Sequence, residues 1–578
     1  MKKSYNRILA VLVAGTMLTA CGSASALAAG KNEKTTDENT EVTEITEITS
    51  VSAGEDTQEE EISISLNDKK STASDDSVSI SGSTVTITQE GTYRISGALS
   101  DGQIIVDADE NAKVKLILDG ADISKEGSAA IYALSADKVI LSSAEGSVNS
   151  IRSTGEFVQT DDNNVDAAVF AKCDLNLNGD GNVNISCETG HGVVSKDDLK
   201  VKDGEWNITA TGKGLSGKDS VTVEDGTLNI TSGTKGIWSS NDEDEEKGSI
   251  EVLGGSITVT SADDSIHAGN AVTISGGEMT LSSGDDGVHA DNTLTISGGN
   301  IDVTKSYEGL EANDITISGG EISIIATDDG INAAGGNDGS NAFGPFGGDP
   351  FGSDSGSTLT ISGGSLTVDA GGDGLDANGE LNVSGGVVYV SGPTNNGNGA
   401  LDYGTGATVS GGTIIAVGAA GMAENFGGNS TQGSILLNLS SAQAAGTTVS
   451  VEDEDGKVLA SYTPTKNYQS VVISTEGMEV GGTYTVKAGS VSEEITLDSV
   501  IYGSGMGMGG FGGFGGGMGG HGQMGGPGWE ENSENGFGWD AGDESVSGQM
   551  GRTGGFGGHG GMGGPGGQGG FRRQAETE

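Results

Sequence analysis

Between about Asp203 and Gly412 apolar and polar residues alternate in short runs, and each run ends at a glycine pair. In Leu-Thr-Ile-Ser-Gly-Gly-Asn-Ile-Asp-Val (294–303), Leu294, Ile296, Ile301 and Val303 fall on one face of extended chain, with Ser297-Gly298-Gly299 as the corner. The pairs set the period: the step is 22 from Gly254 to Gly276 and again to Gly298, 21 to Gly319, 44 to Gly363 and 22 to Gly385. A second phrase recurs at the same period, as Asp-Asp-Ser-Ile-His-Ala (263–268), Asp-Asp-Gly-Val-His-Ala (285–290), Tyr-Glu-Gly-Leu-Glu-Ala (307–312), Asp-Asp-Gly-Ile-Asn-Ala (328–333) and Gly-Asp-Gly-Leu-Asp-Ala (372–377). A fixed period with one turn signal and two short strands per unit marks a solenoid. Successive units run in the same direction, so equivalent strands pair in parallel. The pattern predicts an all-β fold, a right-handed parallel β-helix of about 22-residue coils. Trp206 falls in the slot of Met279, Ile301 and Ile322 and reads as core.

Less regular strands, including Ser83–Thr88, Gly91–Ser96 and Lys113–Leu118, predict an N-terminal cap and first coils over 62–202. The regular part covers 203–430 and is interrupted by an acidic loop at 241–247 and a Gly/Phe/Pro-rich one at 334–357, where solenoids place binding elements. Five strand candidates within 431–502 (Ile435–Leu439, Thr448–Glu452, Gln469–Ile473, Tyr484–Lys487 and Glu494–Leu497) suggest a small antiparallel module or a terminal cap. Residues 503–578 are low-complexity Gly, Met, Phe and His and are expected to be disordered. At the other end, Lys2, Lys3 and Arg7 precede the apolar run Ile8 to Leu18, which is too short for a membrane span. With Leu18-Thr19-Ala20-Cys21 it resembles a bacterial lipoprotein signal (1–20), which implies a lipid on Cys21 and a tether to the outer face of a membrane. An ordinary secretory signal cut after Ala26 or Ala29 is the alternative, and export follows from either. Residues 21–61 are an acidic, Thr/Glu-rich stalk.

Composition narrows the partners. The chain has 578 residues, 104 of them Gly, and only 4% aromatics, which suits a thin solenoid core better than several globular ones. A net charge of −55 repels nucleic acid and anionic lipid and attracts cations. Cys173 and Cys187 both fall on the inward face of their strands, either bridged or as two buried thiols.

Stacked in register at about 4.8 Å, the second phrase builds columns. Asp264, Asp286, Glu308, Asp329 and Asp373 form one, thickened by Asp263, Asp285 and Asp328. His267, His289, Glu311, Asn332, Asp376 and Asp402 form another. Two carboxylates at that spacing repel by about 1 kcal/mol in water and about 3–4 kcal/mol at an effective dielectric of 20, so something must compensate. Mixed Asp, Glu and Asn oxygens about 5 Å apart suit Ca2+. The alternative is that these residues only form turns beside glycine, which accounts for the first column but not for Glu308, Glu311 and Asp376 near the strands. His267 and His289 either hydrogen-bond outward, as contacts to a carbohydrate, or take a transition metal.

Taken in order, Gly91-Thr-Tyr-Arg-Ile-Ser-Gly97, Lys113-Val-Lys-Leu-Ile-Leu-Asp-Gly120, Ser195-Lys-Asp-Asp-Leu-Lys-Val201, Gly214-Leu-Ser-Gly-Lys-Asp-Ser-Val221, the 236–248 segment and the Asp-Asp-Gly repeats resemble the exported, clostridial-type carbohydrate-binding β-helix family. The resemblance covers roughly 62–430. It implies a polysaccharide-lyase-like fold, bound calcium, and cellulose or acidic pectic polysaccharide (pectin, polygalacturonate) as ligand. Calcium would let an acidic protein hold an acidic glycan by sharing ligands between the two. Trp238, in the register of His267 and His289, is expected to face outward on the same side as a sugar platform, with Tyr307 and Tyr403 close by; isolated surface aromatics are the plain alternative. A calcium-dependent lyase is the runner-up, but no Arg occurs between 203 and 420, and Lys305 is the one lysine that adjoins the clearest repeats. A surface spacer or adhesin is the third reading.

Overall fold

The computed structural model describes residues 61–241, 244, 246–334 and 356–504. The signal, Cys21, most of the stalk, part of the acidic loop, most of the 334–357 loop and nearly all of the C-terminal tail lie outside the described residues. Among the described residues every regular element is a strand, and one continuous sheet joins 39 of them.

Each repeat contributes three strands rather than two. The long strands on either side of the glycine corner are as expected, for example Ala271–Ile274 and Glu278–Ser282. The third is a three-residue strand, Ile266–Ala268, made by the phrase read above as a turn. Each strand pairs in parallel with its equivalent one repeat later, so three parallel ladders run along the body. Along one of them Ile151, Ile185, Ile208, Ile230, Val259, Leu281, Val303, Ile324, Val368 and Val390 stack as neighbours, all buried. Trp206 pairs with Val183 and Leu228 in the same core, and its indole N–H donates to the Asp203 carbonyl at 2.9 Å. The second glycine of each corner, from Gly255 to Gly412, has φ between +77° and +93°, a conformation other residues adopt only with strain.

The register holds across the 44-residue step, since Ile331 pairs with Leu375 and Asn332 with Asp376. Antiparallel pairs close both ends: Val78–Ser81 on Thr84–Ile87 at the start, and Tyr468–Ser474 on Thr413–Gly418 at the finish. Ser434–Gln443 joins the latter, while Val449–Glu452, Val458–Tyr462, Thr483–Ala488 and Val491–Thr496 form a separate four-stranded sheet. The C-terminal segment is therefore both cap and module. Cys173 and Cys187 are free, buried thiols.

Candidate functional site

The short ladder carries the site. In each repeat one apolar residue (Ile237, Ile266, Val288, Leu310, Ile331, Leu375) points inward and is fully buried. The residue after it and the residue two before it are left on the outside. Trp238, His267, His289, Glu311, Asn332, Asp376 and Asp402 are consecutive cross-strand partners, so the second expected column exists in the expected order. The first column is tied by both backbone and side chain. Asp264 Oδ1 accepts the Asp286 N–H at 3.0 Å, Asp329 Oδ1 accepts the Asp373 N–H at 2.6 Å, and Asp373 Oδ1 accepts the Gly399 N–H. These three carboxylates thus reach up to the next repeat. A Cβ on Gly309 would run into the Gly330 carbonyl oxygen, so glycine is what lets the acidic turns stack this closely.

Followed downward, the first column changes sign. Leu215 and Ile237 are in register with Ile266, which puts Lys213 and Lys235 in the same column as Asp264. Lys235 Nζ lies 2.5 Å from Asp264 Oδ2 and 3.1 Å from Asp263. Lys305 is therefore not the sole lysine at the columns. Above Lys235 the acids are neutralised by protein cations. His267 Nδ1 is 2.6 Å from Asp264, and His289 Nδ1 is 2.9 Å from Asp286 and 2.8 Å from Glu311. Burial raises the Asp264 carboxyl, but its hydrogen bond to His267 and the Lys235 charge outweigh this and hold it well below the usual range. Burial opposes charge on His289, yet Asp286, Asp291 and Glu311 push it up to about 12.

The other end of the columns has no such partner. Among the described residues, no Lys, Arg or His is ion-paired with Asp329, Asp373, Asp376 or Asp402. The ligand oxygens of Asp329, Asp373 and Asp376 lie within 4.8 Å of one another. Burial, then Asp373, pushes Asp329 up to about 7. Burial, then Asp402, takes Asp373 to about 6, and burial with Asp329 raises Asp376 well above the usual value. Glu424, past the last corner glycine pair at Gly411-Gly412, joins this group and is pushed to about 7 by burial and by Asp402. Two buried oxygens here have no hydrogen-bond partner, Asn332 Oδ1 and Glu424 Oε2. Glu308, whose Oε2 accepts from Asn332 Nδ2 at 2.9 Å, sits at the junction and is raised to about 9 by burial and by Glu311.

The aromatic and histidine expectations fare unevenly. His289 is 1% exposed and turned into the carboxylates, so it is not the outward sugar contact expected of it; the imidazole gains two charged partners by facing in. His267 is mostly covered as well. Trp238 is half-buried, with Lys213 Nζ 3.5 Å from the centre of its ring, so one face is occupied. Tyr307 is exposed beside Asp328. Tyr403 donates its hydroxyl to the Asn425 carbonyl at 2.6 Å and is half-buried. Four participants escaped the sequence reading. Lys213 and Lys235 were findable, because Lys-Gly-Leu (213–215) and Lys-Gly-Ile (235–237) align with Asp-Gly-Val (286–288). Asp291 and Glu424 follow no repeat and carried no signal.

Residues 81–335 match the model of a family described as carbohydrate-binding domain-containing protein. A relative from Acetivibrio thermocellus with the same description is 34% identical over 146 residues, which is 25% of this chain and 51% of that protein. The chain thus spans about half the length of the curated relative it matches. A solved structure described as the polysaccharide lyase-like protein from C. thermocellum, gadolinium derivative, is 33% identical and covers 41% of this chain and 96% of its own, with a TM-score of 0.40.

Proposed function

We propose that this chain is an exported, lipid-anchored cell-surface protein that binds a polysaccharide without cleaving it, through calcium held on the acid-only end of a right-handed parallel β-helix. The three parallel ladders with their 22-residue step support the helix, and the family match and the relative support a carbohydrate ligand. The observation that carries the ion is the cluster of Asp329, Asp373 and Asp376, uncompensated among the described residues and spaced within 4.8 Å. Oxygens around Ca2+ sit at about 2.3–2.6 Å from it, which spans that separation. The orphaned Asn332 Oδ1 and Glu424 Oε2 are further hard donors at the same place. The calcium set thereby narrows from both whole columns to Asp329, Asn332, Asp373 and Asp376, with Asp402 and Glu424 added. Asp263, Asp264, Asp285, Asp286 and Glu311 belong to the end where Lys235 and His289 supply positive charge and His267 a hydrogen bond.

Bound calcium would supply a charge complementary to a uronate. The chain's own carboxylates hold that charge in place and, left bare, repel the same glycan. This favours an acidic pectic polymer over cellulose. A lyase additionally needs a base beside the ion. In the column, Lys235 and Lys213 stand four and five repeats from Asp329, about 20 Å or more at 4.8 Å per step. Retention of the full chain on polygalacturonate, pectin and cellulose, with calcium and with chelator, tests the reading. Calcium-dependent retention without unsaturated products is expected. Release of unsaturated uronides would establish the lyase instead, and no retention on any glycan would leave a surface spacer.

A further inference from the structure

We infer that His267, His289 and Asp291 form a binding site for a divalent transition-metal ion of the zinc class, separate from the calcium set. The two imidazoles are cross-strand neighbours with ring centroids 4.3 Å apart and planes 9° from parallel. Their two nitrogens face different surroundings. On the inner side each Nδ1 is engaged by carboxylates at 2.6–2.9 Å: Asp264 for His267, Asp286 and Glu311 for His289. On the outer side both Nε2 atoms face one oxygen, Asp291 Oδ1, at 3.3 and 3.4 Å.

Those outer separations are long for a charge-assisted hydrogen bond, which runs at about 2.7–2.9 Å. They match the distance between two ligands of one tetrahedral ion. With metal–ligand bonds of about 2.0–2.2 Å, neighbouring ligands stand about 3.3–3.5 Å apart. The inner carboxylates supply what zinc-bound histidines generally have, an acceptor that holds the proton on the other ring nitrogen and fixes the ring, so that Nε2 binds once its own proton leaves. Here that acceptor is itself fixed, since Asp264 is held by Lys235 and by the Asp286 N–H. Two imidazole nitrogens with one carboxylate form a borderline donor set that suits zinc, copper or nickel, in contrast to the all-oxygen cluster further along. Access is from the Asp291 side, where that side chain is 38% exposed while His289 is 2% exposed. For one ion to meet both nitrogens the parallel rings must tilt toward each other about χ2. The ion takes the place of any Nε2 protons, so positive charge facing Asp264, Asp286 and Glu311 is retained.

The test uses the full chain, stripped with chelator and returned to millimolar calcium so that oxygen-only sites are filled. Zinc is then titrated calorimetrically, and cobalt(II) serves as a visible probe of tetrahedral nitrogen/oxygen coordination. One zinc equivalent per chain is expected in the presence of calcium. Asp291→Asn and His267→Gln should each weaken it at least as much as loss of an outer partner does, about 10–100-fold. Asp291→Asn is the safer variant because the side chain is part-exposed, and a circular-dichroism melt confirms that each variant is folded. Zinc binding abolished by calcium, zinc binding unchanged in both folded variants, or no zinc binding at all would each overturn the assignment. Calcium-dependent glycan retention is measured on the same samples. Asp291→Asn should keep it, and loss of retention in the parent protein would count against the calcium reading alone.

Discussion

The two ends of the acidic columns share one backbone and differ in who neutralises the charge. Around Asp264 and Asp286 the chain supplies its own partners, the Lys235 and His289 cations and the His267 imidazole, and the carboxylates there are bound at 2.5–2.9 Å. Around Asp329, Asp373 and Asp376 the same turn, with Asp329 and Asp373 again reaching up to the next repeat, meets no cation among the described residues. The first end is a closed electrostatic unit that stabilises the fold. The second is destabilising by itself and becomes favourable only with something added from solution. Similar local sequence yields a paired cluster at one end and an unpaired one at the other, because the neighbours one repeat away decide the charge.

Breaking the closed end should have the largest effect. Lys235→Met leaves Asp264, 1% exposed, with one cation fewer. Stripping one partner from a buried pair costs about 3–5 kcal/mol, and retention of His267 places this variant near about 3 kcal/mol. Urea unfolding would measure it, and a loss below about 1 kcal/mol would mean the two ends are less different than described. Next comes calcium removal. At a hundredfold excess over Kd the ion adds about 2.7 kcal/mol, so chelator should lower the melting temperature of the parent but not that of Asp329→Asn. That same variant should slightly stabilise the calcium-free protein, because it removes one member of a repelling group.

The pH response separates Asp264 from the open end by sign, while Asp286, raised to about 8 by burial and by Asp264 and Glu311 against its hydrogen bond to His289, follows the open end. At the open end Asp373, Asp329 and Glu424 titrate in the fold near about 6, about 7 and about 7. Their unfolded values lie near about 4. The calcium-free fold therefore binds more protons than the unfolded chain between those limits, and its stability should fall as pH rises from about 4 through about 7. Asp264 is depressed instead, so its contribution is present above the unfolded value and is lost in acid. Melting curves from pH 4 to pH 8 with calcium should lose the alkaline decline, and a calcium-independent profile would contradict the open-end assignment. The smallest expected effect is that of Trp238→Ala. It removes a half-covered ring, costs about 0.5–1 kcal/mol through the lost Lys213 contact, and leaves calcium-dependent glycan retention largely intact.

The columns were legible before any coordinates because a period of 22 residues fixes which residues stack, even across the 44-residue step. Alternation likewise placed Trp206 in the core. The third strand was not legible as a strand, since three residues such as Ile266–Ala268 are too few to show alternation. His289 turned inward because side-chain direction at a column depends on what stands one repeat away, which composition of the phrase does not state. The Asp291 position is filled by the uncharged Gly269 and Asn313 in neighbouring repeats and Glu424 lies past the last corner glycine pair, so only three-dimensional geometry brings these two carboxylates to the site.

The in-register pairing of each strand with its equivalent one repeat later has a consequence for how such a chain can change. Every repeat offers its strands the same parallel partners above and below, so an extra copy of one 22-residue unit would slot in with its backbone partners already supplied. The number of acidic turns is therefore a trait that can grow or shrink in whole units, by duplication or loss of a segment, without redesign of the joints between them.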